Sequence, residues 1–138
     1  MGFPGAVASQ YLGLFNETNN GDFSNHVFAI ELEILSPEFT DINDNHVGID
    51  VNNLKSIEST PVPYYSSKEG INKSLHLIKK QLNVTLAPLY YPKPGIPLLS
   101  TSLELSSIFM DSMYVGFSSS IGAIISSHYI LAKCKNWV

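Results

Sequence analysis

The sequence predicts an all-β sandwich, and three observations carry that expectation. Apolar and polar residues alternate with period two in several short stretches. Those stretches are separated by connections rich in Pro, Ser and Gly. Helical patterning is weak throughout, so many short strands with turn-rich links point to two packed sheets or a piece of such a fold.

The elements follow in chain order. In Val27–Glu33, Phe28, Ile30 and Leu32 share one face while Ala29, Glu31 and Glu33 share the other. His46–Val51 alternates in the same way, with Val47, Ile49 and Val51 opposite His46, Gly48 and Asp50. Leu82, Val84 and Leu86 form a third apolar face, which leaves Asn83 and Thr85 expected to point outward. Tyr114–Phe117 and Tyr129–Leu131 are further strand candidates because aromatic and β-branched residues suit a pleated surface. Pro61, Pro63 and the run from Pro88 to Pro97 are excluded from central strands. Glu69–Lys80 offers at best a helical turn or two, and Leu103–Met110 a brief helical turn over the core.

Composition narrows the function classes. The chain has 138 residues, 44% hydrophobic and 14% charged, enough apolar content for one globular domain and too much for disorder. Net charge is −4, and Lys79-Lys80 is the single adjacent basic pair, which argues against a phosphate-tracking nucleic-acid surface. One cysteine, Cys134, excludes an internal disulfide. No apolar run approaches the ~20 residues of a membrane span, and MGFPGAVAS does not read as a signal peptide. Three N-glycosylation sequons begin at Asn16, Asn72 and Asn83.

The chemistry concentrates at Glu31 to Asp50. If the first two strands pair antiparallel, a twelve-residue loop, Ile34–Asn45, closes over their ends, and His46 enters beside Glu31 and Glu33. Carboxylates so close repel unless a cation or protons neutralise them. Oxygen donors suit a hard divalent cation, and one imidazole shifts the preference toward manganese or zinc. Asp41, Asn43, Asp44 and Asn45 add loop oxygens. Two other readings stand beside this one: a solvated turn in which Asp and Asn only bend the chain, and a paired-carboxylate hydrolase. No Ser-His-Asp spacing, HExxH, P-loop or dinucleotide fingerprint occurs, so no enzymatic activity is expected.

The segments SQYLGLFNETNNG, VFAIELE, SPEFTDINDNHVGIDVNNLKSI, QLNVTLAP and YVGFSSSIGAIISSHYIL, in that order, resemble the legume lectin family. In particular they resemble the lectin ectodomain of plant L-type lectin receptor kinases. The resemblance implies a jelly-roll β-sandwich, with residues 1–138 forming one partial legume lectin domain. It lacks the N-terminal strands and an internal segment where Lys79-Lys80 joins Ile78 to Gln81. It also implies calcium and manganese held side by side, shaping loops that bind a monosaccharide unit of a glycan, without catalysis.

By that resemblance Glu31, Asp41 and His46 fall on transition-metal ligands, and Asp41 also bridges to calcium. Glu33 stands where the family has a bridging aspartate. Ser36 stands where the family has an asparagine that ligates calcium and contacts sugar. Both changes are expected to weaken calcium binding. Gly122 and Ala123 supply the final sugar-contacting loop. The implied partners are glycans or glycoproteins, with a homodimer through sheet faces or edges. The implied location is extracellular or at the cell surface. Kinase motifs are absent from these residues. Tyr64-Tyr65 and Tyr90-Tyr91 are candidates for stacking on sugar, whereas His26, His76 and His128 read as surface or packing residues.

Overall fold

A computed structural model describes residues 5–7, 11–33, 42, 45–62, 71–78, 80–88 and 91–119. The chain divides into two compact units, Met1–Asn16 with Gly116–Val138, and Glu17–Val115. In the first unit, the backbone turns tightly at 11–14 and returns on itself through Val7 N to Phe15 O (2.8 Å) and Gly13 N to Val7 O (2.9 Å). Phe15 is buried there, and the Ser118 hydroxyl donates to the Leu12 carbonyl.

The second unit carries six strands: β1 (Phe28–Glu33), β2 (His46–Val51), β3 (Glu58–Pro61), β4 (Ile71–Ile78), β5 (Gln81–Pro88) and β6 (Leu99–Ser102). They form two antiparallel three-stranded sheets, ordered β1-β2-β3 and β4-β5-β6. Val47 and Ile49 from one sheet join Leu82, Val84, Leu86 and Leu99 from the other in a single core cluster. Phe28, Ile30, Leu32, Val62, Leu98 and Leu103 pack around it. The alternation of the sequence is therefore what seals the sandwich, since alternate residues of β2 and β5 meet in the core cluster. Phe28 also meets Phe109 edge to face, with ring centroids 5.8 Å apart.

Asn52 fixes the join between β1 and β2. It takes a left-handed backbone, φ 56°, which asparagine tolerates better than most residues. Its Oδ1 accepts from Val27 N (2.8 Å) and its backbone N–H donates to Val27 O (2.9 Å). Its Nδ2 reaches the Phe23 carbonyl at 3.3 Å, in the short 3-10 turn Phe23–Asn25. Asn20 Oδ1 accepts from Leu54 N (3.0 Å), which holds the buried Leu54 beneath the same turn. On the other side of β2, Asn45 and Val62 exchange two bonds, Val62 N to Asn45 O (2.9 Å) and Asn45 Nδ2 to Val62 O (3.1 Å).

Several expectations need correcting. Within Glu69–Lys80, where a helical turn or two was the most expected, residues 71–78 form β4, paired rung by rung with β5 from Ile71↔Pro88 to Ile78↔Gln81. Lys79-Lys80 is thus the whole connection of a hairpin. Tyr114–Phe117 does not pair as a strand among the described residues; Tyr114 and Val115 are 95% and 97% exposed. Strand propensity expresses itself only where a neighbour supplies the ladder. Thr85 does not face solvent, being 4% exposed, although it stands on the face opposite Leu82, Val84 and Leu86. The short strands β3 and β6 were not anticipated. Leu103–Met110 does contain one turn, closed by Phe109 N to Leu105 O (2.9 Å). Pro61 and Pro88 each end a strand, and Pro61 does so on an edge strand, as the missing N–H requires. Tyr129–Leu131 and Cys134 lie outside the described residues.

Two predictions follow from this packing. Gly48 sits in the middle of β2, where an added Cβ would overlap Ser56 Oγ and come within 3.1 Å of Ser56 Cβ. Ser56 would have to abandon its 2.7 Å bond to Asp50 Oδ1. Gly48→Ala should therefore destabilise the fold by about 1–3 kcal/mol, the scale of a lost hydrogen bond to a charged group. In chemical denaturation, Gly48→Ala should cost less in a Ser56→Ala background than in the native chain, because the overlap with Oγ is gone and only the 3.1 Å approach to the Cβ of residue 56 remains.

The second concerns the hairpin end. Lys80 pairs with Glu104, and Leu103 N donates to Lys80 O at 2.7 Å. The hydrogen bond from Lys80, with lesser ones from Ser106, holds the Glu104 carboxyl down to about 2 from its ordinary 4.5. A depressed carboxyl stabilises the fold above its unfolded value and loses that contribution as pH falls through its folded value. The gap in unfolding midpoint between the native chain and Glu104→Gln should thus be constant above pH 4.5 and close toward pH 2. Both partners are largely exposed, so the gap is small and shrinks with salt.

Candidate functional site

Antiparallel pairing places β1 and β2 in one register: Ala29↔Asp50, Glu31↔Gly48 and Glu33↔His46. Residues directly opposite one another project from the same side of a sheet, so Ala29, Glu31 and Glu33 share a face with His46, Gly48 and Asp50. Glu33 stands directly across from His46, and Glu31 occupies the diagonal position, about 7–8 Å away for such neighbours and within reach of a long side chain.

That face is not a wet exterior. His46 is 0% exposed and Asp50 1%, and Glu31 is half-buried. Glu31 Oε2, His46 Nε2 and Asp50 Oδ2 are all shut off from solvent. Each of the three residues has a polar or electrostatic interaction within the protein. Burying such groups is costly unless the interior answers their charge and hydrogen-bonding demand. Part of that answer is visible at one end. The segment after β2 folds back so that the Ser56 hydroxyl lies over Gly48 and donates to Asp50. Only glycine leaves room for it, which explains the residue between His46 and Asp50.

The expected site residues divide by location. Glu31, Glu33 and His46 are brought together by the register. Ser36, Asp41, Asp44, Gly122 and Ala123 lie outside the described residues, as do Tyr64, Tyr65 and Tyr90. Among the described residues, no group of three His, Cys, Asp or Glu side chains is arranged to hold a metal ion. Tyr91 is exposed. His26 is a packing residue, half-buried with Nδ1 3.3 Å from the Ile108 carbonyl. His76 stands in β4 across from Asn83. Ser56 and Asn52 went unremarked in the sequence. The visible signal for Asn52 was the Asn-Asn pair closing a strand; Ser56 had none, because its role depends on the chain doubling back.

No helix among the described residues is long and apolar enough to cross a membrane.

Residues 1–134 match the profile of the Legume lectin domain family. The L-type lectin-domain containing receptor kinase V.9 of Arabidopsis thaliana is 48% identical over 145 residues, covering 94% of this chain and 22% of that protein. The chain spans between a fifth and a quarter of the length of the curated relatives it matches. Among solved structures, lectin II from Ulex europaeus superposes with a TM-score of 0.63 at 23% identity, over 78% of this chain and 47% of that one. Lectin UEA-II complexed with galactose gives 0.56 at 24% identity, over 72% of this chain and 43% of that one. The likeness is to the β-sandwich fold of these lectins, of which the two sheets described above form part. The chain belongs to the legume lectin domain family.

Proposed function

We propose that this chain is a metal-dependent carbohydrate-binding module that holds a glycan without making or breaking a bond. The observation that carries the reading is the shared face of Glu31, Glu33 and His46, buried at its His46 rung, in a chain of the legume lectin domain family. A solved relative of the same fold is complexed with galactose, which supports a monosaccharide unit as the ligand class.

The donor set tests the fit of the implied ions. A buried imidazole beside carboxylates on one face suits a first-row transition ion such as manganese. Glu31, Glu33 and His46 would hold it, joined by Asp41 on the strength of the sequence resemblance. Calcium fits less well, because Glu33 replaces an aspartate and Ser36 an asparagine in its ligand set. When bound, the ions fix the loop that follows β1. The protein's own residues do the rest: Glu33 and His46 hold the loop ends in register, Ser36 offers a hydroxyl to sugar, and Gly122-Ala123 offer backbone. The proposed address is extracellular or at the cell surface, in keeping with relatives named as receptor kinases. A homodimer through sheet edges or faces would cover the outer strands. The Glu33 and Ser36 departures favour a second reading, a remnant or protein-interaction module that keeps the scaffold and has lost the sugar.

A glycan array separates the two. The first reading expects signal with manganese and calcium present, abolished by chelator and restored by both ions. Silence on a sample with native circular dichroism would sink it in favour of the second. At the residue level, His46→Ala should weaken manganese affinity by at least about tenfold, the lower end of the loss seen even for outer-sphere partners. Elemental analysis of the folded variant reads this directly, and unchanged manganese content would remove His46 from the site.

A further inference from the structure

The three sequons differ in what the fold does with their asparagines. Asn16 Nδ2, the atom a glycan would join, donates to the Gly5 carbonyl at 3.0 Å. Asn83 is the reverse case. Its Oδ1 accepts from Ser100 Oγ at 2.7 Å in an exposed setting, Gln81 Nε2 approaches that same hydroxyl at 3.2 Å, and among the described residues Nδ2 has no bond. Asn83 lies on β5, the central strand of its sheet, on the face opposite the core residues Leu82, Val84 and Leu86. Along that face exposure falls from Gln81 (exposed) through Asn83 (half-buried) to Thr85 and Ala87 (both buried). Asn72 shares the face by register but stands across from Ala87, at its covered end, about 14 Å along the strands from Asn83.

We infer that Asn83 carries an N-linked glycan, and that it is the acceptor whose modification the folded sheet accommodates, in contrast to Asn16. The inference rests on the extracellular address proposed above. The chemistry is a transfer from a lipid pyrophosphate-linked oligosaccharide by the transferase of the secretory pathway. Asn83 Nδ2 bonds to C1 of the first sugar, the C1–O bond to pyrophosphate breaks, and the lipid pyrophosphate leaves with the electron pair. One amide proton is lost, and no centre changes oxidation state. Because Thr85 is buried in the fold, the sequon is read on the extended chain before β5 is covered. Afterwards Oδ1 keeps its bond from Ser100 while the sugar departs from Nδ2, so modification costs no native hydrogen bond. A glycan at Asn16 would crowd the Nδ2 that closes the loop onto Gly5.

The modification has a structural consequence. A sugar rooted in the central strand stands in the middle of the outer face of β4-β5-β6. Stacked sheets approach to about 10 Å, too close to admit it. That face is therefore closed to sheet-on-sheet association.

The test supplies the address, so that site and routing fail separately. The chain is fused behind a secretion leader, expressed in plant cells, and recovered from the secretory lumen and the medium. Glycopeptide mass spectrometry should find glycan on the peptide holding Asn83. Asn83→Gln and Thr85→Val should each remove one glycan increment from the intact mass, and Asn16→Gln should remove none. An unmodified Asn83 in lumenal wild-type protein overturns the inference whatever the native location. Glycan at Asn16 on protein with an unchanged unfolding midpoint overturns the contrast. The increment lost in Thr85→Val, which retains Asn83, shows that the sequon is the cause.

Discussion

The exchange of two hydrogen bonds between Asn52 and Val27 is the constraint on which the rest depends. It ties the end of β2 to the residue before β1 and so sets which residues face each other along both strands. A strand has no intermediate positions: a slip of one residue would carry Phe28, Ile30 and Leu32 out of the core and bring Glu31 and Glu33 into it. The apolar face resists that slip energetically, and Asn52 resists it geometrically. Both controls act on the same rung count that puts Glu33 across from His46. The integrity of the core and the composition of the candidate site are therefore one property. A substitution at Asn52 would disturb the site without touching it.

The second sheet solves a different problem. Lys79-Lys80 alone separate β4 from β5 in the sequence, and the two strands close directly on one another over eight rungs. Every rung from Ile71↔Pro88 to Ile78↔Gln81 is paired, and Lys80 ties the hairpin end to Leu103 and Glu104. β5 has β4 along its whole length and β6 along Gln81–Val84, so Leu82 and Val84 are flanked on each side and Leu86 on the β4 side. A two-residue connection asks little closure entropy of the chain, and the continuous register beside it carries the pairing.

What the sequence disclosed depended on how far each strand's two faces differ. β1 and β2 were legible because their apolar residues alternate without interruption, and the antiparallel pairing then brought Glu31, Glu33 and His46 to one face. β4 was not, since Lys73 takes a position in the same row as Ile71, Leu75 and Leu77, while Ile78 falls in the polar row with Asn72, Ser74 and His76. Its turn hid as well, because Lys-Lys lacks the Asn-Gly or Asp-Gly signature of a two-residue hairpin. β3 and β6, Glu58–Pro61 and Leu99–Ser102, are short and mostly polar, as edge strands often are, and so carry almost no periodic signal. Tyr114–Phe117 erred the other way: strong propensity with no ladder to join among the described residues. Of the site, the strand residues were readable from alternation, whereas Ser36, Asp41, Gly122 and Ala123 were placed by family resemblance alone, since loop geometry leaves no periodic trace.

The outer face of β1 and β2 divides its charge between two ends. At one end Ser56 lies across Gly48 and gives its hydroxyl to Asp50, so that carboxylate is answered by a neutral donor within the domain. At the other end Glu33 faces His46 on the rung next to the loop 34–45. Cross-strand partners of this kind hold their Cβ atoms about 4.5–5.5 Å apart. The two departures proposed for this end, a glutamate at 33 for an aspartate and a serine at 36 for an asparagine, differ in sense: the first adds a methylene and the second removes a carboxamide. Two changes proposed to serve one ion share a partner, so their effects would not add. Only the double replacement, Glu33→Asp with Ser36→Asn, therefore tests the pair as a unit.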